Sequence, residues 1–259
     1  MISKKDLSFY KSNGYLLVKN VLKKEDFEQI DKTLKKLEKL QSPGRGLSEP
    51  GIKKSLIHSL HKNQNLIKTI EKKIWFQSIS KILLKTDQIK VWNAKSNLKK
   101  RWAGSVEYFH QDYIYWRELG FNSSDMINCM IFVDDHTHTN GGLWVFQGSH
   151  KKMFKHSPFL NINSLQKYFI HPSLLDKISK KMKPISISGK KGSCLFFHSK
   201  LIHGSAHNIS PNDRRILLYD ISTKKHFENA NKNKINSFNR DFRKKFEKKI
   251  LLQRIKALK

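Results

Sequence analysis

Five residues, Tyr108-Phe109-His110-Gln111-Asp112, close an apolar segment that is predicted to be a β-strand. Side chains two residues apart on a strand point to the same side, so His110 and Asp112 are expected to aim an imidazole nitrogen and a carboxylate at one point across about 7 Å of backbone. These are two of the three ligands in the 2-His-1-carboxylate facial triad of non-haem iron(II) oxygenases. Taken alone the pattern is weak, because a histidine hydrogen-bonded to an aspartate at a strand end has the same sequence.

A second segment supplies a third ligand. Residues 192–208 predict a strand, a short turn and then His203-Gly204-Ser205, and Arg214 follows eleven residues after His203 at the start of another strand. This order suits the co-substrate 2-oxoglutarate, whose one end chelates iron while its far carboxylate needs a buried cation that arginine can bind through two hydrogen bonds. Ser205 is predicted to add a hydroxyl hydrogen bond to the same carboxylate.

Apolar segments broken by Gly, Asn and Asp continue along the chain, and their spacing predicts a β-sandwich or barrel with flanking helices. One domain is expected over residues 1–259, with a lid-like, partly helical insertion at His150–Lys183 and a loop at Gln41–Gly51. The predicted strands are Gly14–Val18, Ile89–Trp92, Val106–Phe109, Met126–Val133, Leu143–Phe146, Ile185–Ile187, Cys194–Phe197 and Ile216–Ile221. The predicted helices are Lys23–Leu40, Leu60–Lys85 and a basic helix at Asn236–Leu258.

A third motif, Asn140 to His150, reads NGGLWVFQGSH. Together with His110-Gln111-Asp112 and the segment from His203 to Arg214, it resembles the phytanoyl-CoA dioxygenase family of Fe(II)- and 2-oxoglutarate-dependent oxygenases. The resemblance implies a double-stranded β-helix, or jelly roll, that uses Fe(II), 2-oxoglutarate and O2. It also implies His110, Asp112 and His203 as iron ligands that carry the catalysis, and Arg214 with Ser205 as the site for the distal carboxylate.

Several residues near these motifs admit two interpretations. His198 is an alternative ligand to His203, but the eleven-residue step to Arg214 favours His203. Arg215 is expected to point away from the site, because neighbours on a strand face opposite sides. Asn128, a polar residue in an apolar strand, is predicted either to touch 2-oxoglutarate or to bond to backbone.

Two further groups of side chains are candidate site residues. Asp134, Asp135, His136 and His138 have a metal-like composition but fit a polar loop better. The predicted substrate contacts are Gln111, Tyr115, Trp116 and Trp144, although aromatic residues after the H-x-D motif are also typical of barrel filling.

The chain is strongly basic, with a formal net charge of +30 over 259 residues. The excess lies mainly outside the motifs, because residues 101–222 carry a net charge of only +6. Lysine dominates with 43 residues against 8 arginines, which disfavours a specific nucleic-acid partner, since arginine is the better reader of bases and phosphates. The two cysteines, the absence of an apolar leader and the lack of a long apolar segment predict a cytoplasmic protein without a transmembrane helix.

The function predicted from these observations is hydroxylation of a small organic substrate, with release of succinate and CO2. The basic surface and the stretch Lys99-Lys100-Arg101 favour an anionic substrate. Two alternatives remain at this point: a catalytically inactive jelly roll that binds a small molecule or a partner, and a basic nucleic-acid-associated protein.

Overall fold

Two antiparallel β-sheets face each other in this protein. The computed structural model describes residues 2–40, 56–57, 60–104, 106–158, 166–230 and 235. The strands are β1 (Tyr15–Val18), β2 (Leu56–Ile57), β3 (Ile89–Lys99), β4 (Glu107–His110), β5 (Ile127–Phe132), β6 (Leu143–Phe146), β7 (Ser157–Pro158), β8 (Tyr168–Phe169), β9 (Pro184–Ser186), β10 (Cys194–His198), β11 (His203–Ser205) and β12 (Arg214–Thr223). The larger sheet has six strands in the order β1-β10-β5-β12-β3-β2, and the smaller has four in the order β4-β11-β6-β9.

The helices are α1 (Lys4–Asn13), α2 (Lys24–Leu40), α3 (Gln64–Leu66), α4 (Ile74–Leu84), α5 (Tyr113–Glu118), α6 (Pro172–Ser179) and α7 (Lys224–Asn229). Of these, α2 and α4 cover the outer face of the larger sheet. Ile30 and Leu34 of α2 and Phe76 of α4 share one apolar cluster with Leu217 and Tyr219 of β12. Because side chains alternate along a strand, the neighbouring residues of β12 point instead into the space between the sheets.

That interior space is apolar at one end, where Met130, Phe132, Val145, Leu195 and Leu218 form a second buried cluster. The predicted jelly roll is therefore confirmed, as two sheets that bury a common interior. The insertion predicted at His150–Lys183 contributes β7, β8 and α6. It packs on the smaller sheet, where its Ile170 and Ile178 join Phe146 in a third cluster.

The long helix predicted at Leu60–Lys85 is wrong. A 3-10 turn, α3 and a π-helical turn at Ile67–Glu71 precede α4. The side chain of Asn63 caps α3 by accepting hydrogen bonds from the backbone of Asn65 and Leu66, and the extended backbone of Lys73 separates the π turn from α4. The apolar periodicity that predicted one helix belongs to successive turns, in which Leu66, Ile70 and Ile79 are buried while Ile74 is 81% exposed.

Strand β3 is longer than predicted and continues from Trp92 to Lys99. The predicted loop at Gln41–Gly51 and the predicted helix at Asn236–Leu258 lie outside the described residues, and the single-domain prediction stays a prediction. Within the part of the chain that the structure describes, no helix combines the length and apolar character needed to cross a membrane.

Candidate active site

His110, Asp112 and His203 meet at one edge of the smaller sheet. His110 ends β4 and His203 begins β11, and the two residues are directly opposite in the antiparallel register. Nε2 of His110 lies 3.4 Å from one Asp112 carboxylate oxygen, and Nε2 of His203 lies 3.6 Å from the other. One potential ligand atom from each of the three residues lies within 4.8 Å of the other two. Within the described residues this is the one such group of three histidine, cysteine or acidic side chains.

Backbone carbonyls orient both imidazoles. Nδ1 of His110 lies 2.8 Å from the carbonyl oxygen of Tyr108, and Nδ1 of His203 lies 2.9 Å from that of Leu201. A carbonyl can only accept, so each Nδ1 carries a proton, and each Nε2 is directed at the centre of the triad, where it could give its lone pair to a metal. This is the arrangement that metal-binding histidines adopt.

Asn128 holds the carboxylate of the triad. Its amide nitrogen donates a 2.8 Å hydrogen bond to Oδ2 of Asp112. Burial would raise the pKa of Asp112, but the imidazoles of His203 and His110 lower it to well below its usual range. The carboxylate is therefore ionised, as a metal ligand must be. Asn128 was predicted either to touch 2-oxoglutarate or to bond to backbone; its amide nitrogen bonds instead to the side chain of Asp112.

Two buried cations lie on the other side of the interior. Arg214 begins β12 directly opposite Lys99, the last residue of β3, and their side chains are only 3% and 5% exposed. Nζ of Lys99 donates to Oγ of Ser205 at 2.7 Å, and Nη2 of Arg214 donates to the carbonyl of Gly141 at 2.9 Å. Ser205 lies two residues beyond His203 on β11, so the backbone position whose hydroxyl Lys99 binds is about 7 Å from that of His203.

Lys99 was missed by the sequence analysis as a site residue. It was grouped with Lys100 and Arg101 as a basic stretch that would attract an anionic substrate. The structure separates them: Lys99 points inward, Lys100 forms an ion pair with Asp213 at 2.7 Å, and Arg101 is exposed. The signal that could have found Lys99 is its place in Asn93-x-Lys95-x-Asn97-x-Lys99, a polar alternation with the period of a strand.

The two adjacent arginines face opposite sides of the sheet, as predicted. Arg215 reaches outward to Asp134, with nitrogen–oxygen distances of 3.0 and 2.9 Å, and to Asp31 of α2 at 2.7 Å. Asp134 therefore belongs to an ion pair that joins sheet and helix. In the same predicted loop, His136 is buried and its Nε2 accepts a hydrogen bond from the backbone of Leu143.

Gln111 occupies a different place from the predicted one. Its side chain is fully buried. Its amide nitrogen donates to the carbonyls of Lys152 and Lys200, and its oxygen accepts from the backbone of Phe154 at 2.8 Å. The whole amide is thus bonded to backbone, so Gln111 braces the segment between two triad residues and does not face a substrate.

The predicted aromatic contacts divide in the same way. The ring of Tyr115 lies 5.8 Å from that of His110, beside the triad. Trp116 instead packs edge-on against Trp92 at 5.4 Å in a separate buried cluster. Trp144 alternates with the inward-facing Val145, so it lies on the outer face of the smaller sheet. Placement beside the triad is found for Tyr115 and not for Trp116 or Trp144.

His198, the alternative ligand, lies outside the triad, with its Nε2 3.9 Å from Asp125.

The residues present fit an octahedral iron(II) ion. Cis ligands on such an ion, with bonds of about 2.1 Å, lie about 3 Å apart, close to the 3.4 and 3.6 Å found here. Two lone-pair nitrogens and one carboxylate are the donor set of the facial triad. The paired cations beyond it fit the far end of a dicarboxylate.

Comparison with known proteins agrees with this geometry. The chain is 23% identical over 221 residues to L-proline trans-4-hydroxylase of Streptomyces griseoviridis, covering 81% of this chain and 82% of that protein. It is 24% identical over 234 residues to ectoine dioxygenase of Stutzerimonas stutzeri strain A1501, covering 85% and 76%. The structure of EctD from S. alaskensis with 2-oxoglutarate and 5-hydroxyectoine has the same fold, with a TM-score of 0.74 at 18% identity over 87% of this chain and 77% of that one.

The family model for phytanoyl-CoA dioxygenase matches residues 10–216, which include β1, all three triad residues and Arg214. The chain belongs to the phytanoyl-CoA dioxygenase family and is an Fe(II)- and 2-oxoglutarate-dependent dioxygenase.

Proposed function

We propose that this enzyme hydroxylates a small organic molecule, with His110, Asp112 and His203 as its iron ligands. The observation that carries the proposal is the convergence of the two Nε2 atoms on one ionised carboxylate, at distances of 3.4 and 3.6 Å. The names of the two curated relatives, a proline hydroxylase and an ectoine dioxygenase, support a small polar substrate over a macromolecule.

Arg214 and Lys99 would bind the distal carboxylate of 2-oxoglutarate, with Ser205 between them. Both cations are buried, so their attraction for a carboxylate is weakly screened. The spacing of about 7 Å between His203 and Ser205 suits a five-carbon dicarboxylate that reaches from the metal to the cations. Iron(II) with 2-oxoglutarate and O2 supplies the oxidation of an unactivated C–H bond, and 2-oxoglutarate leaves as succinate and CO2.

The chain's own residues orient the reactants and limit access of water. Asn128 fixes the Asp112 carboxylate through its 2.8 Å hydrogen bond, which leaves the other carboxylate oxygen directed at His110. The ring of Phe197 lies 5.0 Å from that of His203, and the ring of Tyr115 lies 5.8 Å from that of His110. These aromatic contacts would hold the two imidazoles in place and limit access of water to them.

An anaerobic titration with Fe(II) and then 2-oxoglutarate tests the proposal. The wild-type protein should develop the weak visible band of the iron–2-oxoglutarate chelate. His110→Ala should lose the band, and Arg214→Ala should need far more 2-oxoglutarate to produce it. His198→Ala is the matched control, because this histidine lies outside the triad, and it should behave as wild type.

Turnover provides the second measurement. Asp112→Ala should abolish 2-oxoglutarate-dependent succinate formation in a folded protein. Full succinate formation by Asp112→Ala would contradict the ligand assignment. A folded wild-type protein without the band would favour a jelly roll that binds small molecules without catalysis.

A further inference from the structure

The interior face of the larger sheet carries more polar residues than iron and 2-oxoglutarate require. Residues directly opposite each other on antiparallel strands share a face. Asn128 faces the triad, because it bonds to Asp112. Asp220 is opposite Asn128, and Asn93 is opposite Asp220, so both face the same interior.

Alternation along β3 then adds Lys95 and Asn97 to this face, between Asn93 and the co-substrate cation Lys99. Glu107 of β4 reaches the same interior, where Asn97 donates to it at 3.4 Å. Lys95, Asn97 and Glu107 each keep partial exposure although they lie between the sheets. These three residues form a charged, partly exposed stretch of the interior beyond the iron ligands.

Three asparagines on this face share one pattern. Each donates its amide NH2 to a carboxylate: Asn93 to Asp220 at 2.7 Å, Asn97 to Glu107, and Asn128 to Asp112. A carboxylate can only accept, so these bonds fix which amide atom is the nitrogen. Each asparagine is left with a carbonyl oxygen that is buried and has no hydrogen-bond partner among the described residues.

Unpaired buried acceptors call for a ligand with hydrogen-bond donors. Asp220 lies next to one of these oxygens and is 3% exposed. Burial raises the pKa of its carboxyl group to about 7, and a cation bound beside it would keep it ionised. A protonated nitrogen supplies both the donors and the opposite charge. Lys95 is the cation on this face that the co-substrate does not use. It lies diagonally across from Asp220, on the strand that pairs with β12.

The balance of charge limits the choice further. The interior holds three cationic side chains, Lys95, Lys99 and Arg214, and three carboxylates, Glu107, Asp112 and Asp220. These six charges cancel when all are ionised, and Fe(II) and 2-oxoglutarate cancel each other. A substrate with a net charge would upset this balance in a buried site, whereas a zwitterion leaves it unchanged.

We propose that the substrate is a small zwitterion, whose protonated nitrogen is bound by Asp220 with the oxygens of Asn93 and Asn128 and whose carboxylate is bound by Lys95. This rests on the proposed function and names the substrate class for the same site. Asp220 and Lys95 are separated by a diagonal cross-strand step of about 7 Å, which an amino acid lying between the two side chains can bridge.

The test compares ring molecules that match in size and differ in charge. L-proline carries both charges, pyrrolidine only the cation, and cyclopentanecarboxylate only the anion; L-pipecolate, piperidine and cyclohexanecarboxylate form the six-membered set. Binding is measured by calorimetry on the enzyme with Fe(II) and 2-oxoglutarate under anaerobic conditions, so that no turnover occurs. At least one zwitterion should bind at least tenfold more tightly than both of its singly charged partners.

Two nearly isosteric variants locate the contacts. Asp220→Asn and Lys95→Met should each weaken zwitterion binding by between about 10- and 100-fold, the loss expected for a charge-assisted hydrogen bond. Both should keep 2-oxoglutarate affinity within about twofold. Lys100→Met, which removes a lysine that pairs with Asp213 at the surface, is the matched control and should leave zwitterion binding unchanged.

Several results would overturn the inference. Binding of the anion or the cation as tightly as the zwitterion would do so, as would the absence of binding by either zwitterion while 2-oxoglutarate binds normally. Unchanged zwitterion affinity in folded Asp220→Asn and Lys95→Met would show that the two charges only compensate each other. If a single variant fails to fold, Lys95→Met/Asp220→Asn removes both charges together and keeps the balance, and it should lose the preference for zwitterions. Failure of 2-oxoglutarate to bind the wild type would instead remove the proposed function, and this inference with it.

Discussion

Replacement of Lys99 by methionine should weaken 2-oxoglutarate binding and leave the fold intact. Lys99 is 5% exposed, and its ammonium donates to Ser205 at 2.7 Å and to the carbonyl of Ala206 at 2.6 Å. This buried ammonium lies directly opposite Arg214, and its positive charge would also attract the carboxylate of a ligand through a charge-assisted contact. Methionine keeps the length and apolar stem of the side chain and removes the charge.

The expected loss follows from that one contact. A hydrogen bond to a charged group contributes about 1.5–3 kcal/mol, so the Kd for 2-oxoglutarate should rise by about 10- to 150-fold. Arg214→Met should have an effect of similar or larger size. The double variant should lose less than the sum of the two, because both cations act on one carboxylate and contacts to a shared partner are not additive.

Anaerobic titration of the iron-loaded protein with 2-oxoglutarate measures this Kd directly from the visible chelate band. Lys100→Met is the control, because Lys100 is the neighbour of Lys99 in sequence but its side chain reaches the surface, where it pairs with Asp213. A Kd within twofold of wild type in a folded Lys99→Met protein would refute the assignment of Lys99 to the co-substrate, and the site would then depend on Arg214 alone.

Three other predictions concern stability. Gly14 ends α1 with a φ of +83°, and a Cβ there would lie 2.5 Å from Nδ1 of His150. Gly14→Ala should therefore lower the free energy of unfolding by at least about 1–2 kcal/mol and reduce the Tm, and an unchanged Tm would contradict this. Burial lowers the pKa of His150 from 6.5 to about 4, so the unfolded chain binds the proton first and stability should fall as pH decreases from about 6.5 to about 4. Urea unfolding at each pH measures this, and His150→Gln should reduce the slope while His61 and His156, whose pKa values burial also lowers to about 4, keep part of it. Arg215→Met should lose about 1–3 kcal/mol by breaking its bonds to Asp134 while 2-oxoglutarate affinity stays the same, and a large loss of that affinity would disprove the separation of the two arginines.

The predicted site residues that the structure brings together are those with local signals in the sequence. His110 and Asp112 share a strand end, and two-residue spacing brings them to one side. His203 and Arg214 were linked by their separation along the chain. The structure adds the register that sets His203 opposite His110, a contact between residues far apart in sequence that no local pattern contains.

The errors have a common physical origin in the polar interior. Strand β3 was ended at Trp92 because apolar residues were taken as the mark of a strand, whereas from Asn93 to Lys99 its inward positions are polar and its outward ones are smaller or apolar. In a protein with a polar binding site, the strand face that points into the interior can be polar, which reverses the usual alternation of apolar inward and polar outward residues. Trp144 was misplaced for a related reason, since only the pairing of Val145 with His203 decides which face it occupies.

Gln111 has a consequence for how relatives of this enzyme can be recombined. Standing between two triad residues, it ties the backbone of Lys152 and Phe154, in the variable insertion, to that of Lys200, in the turn before His203. A chimera that exchanges the insertion therefore also exchanges the partners that set the angle between His110 and Asp112. Grafts whose junction lies after Phe154 should preserve the iron site, and grafts that begin before Lys152 should need the donor's matching residue at position 111.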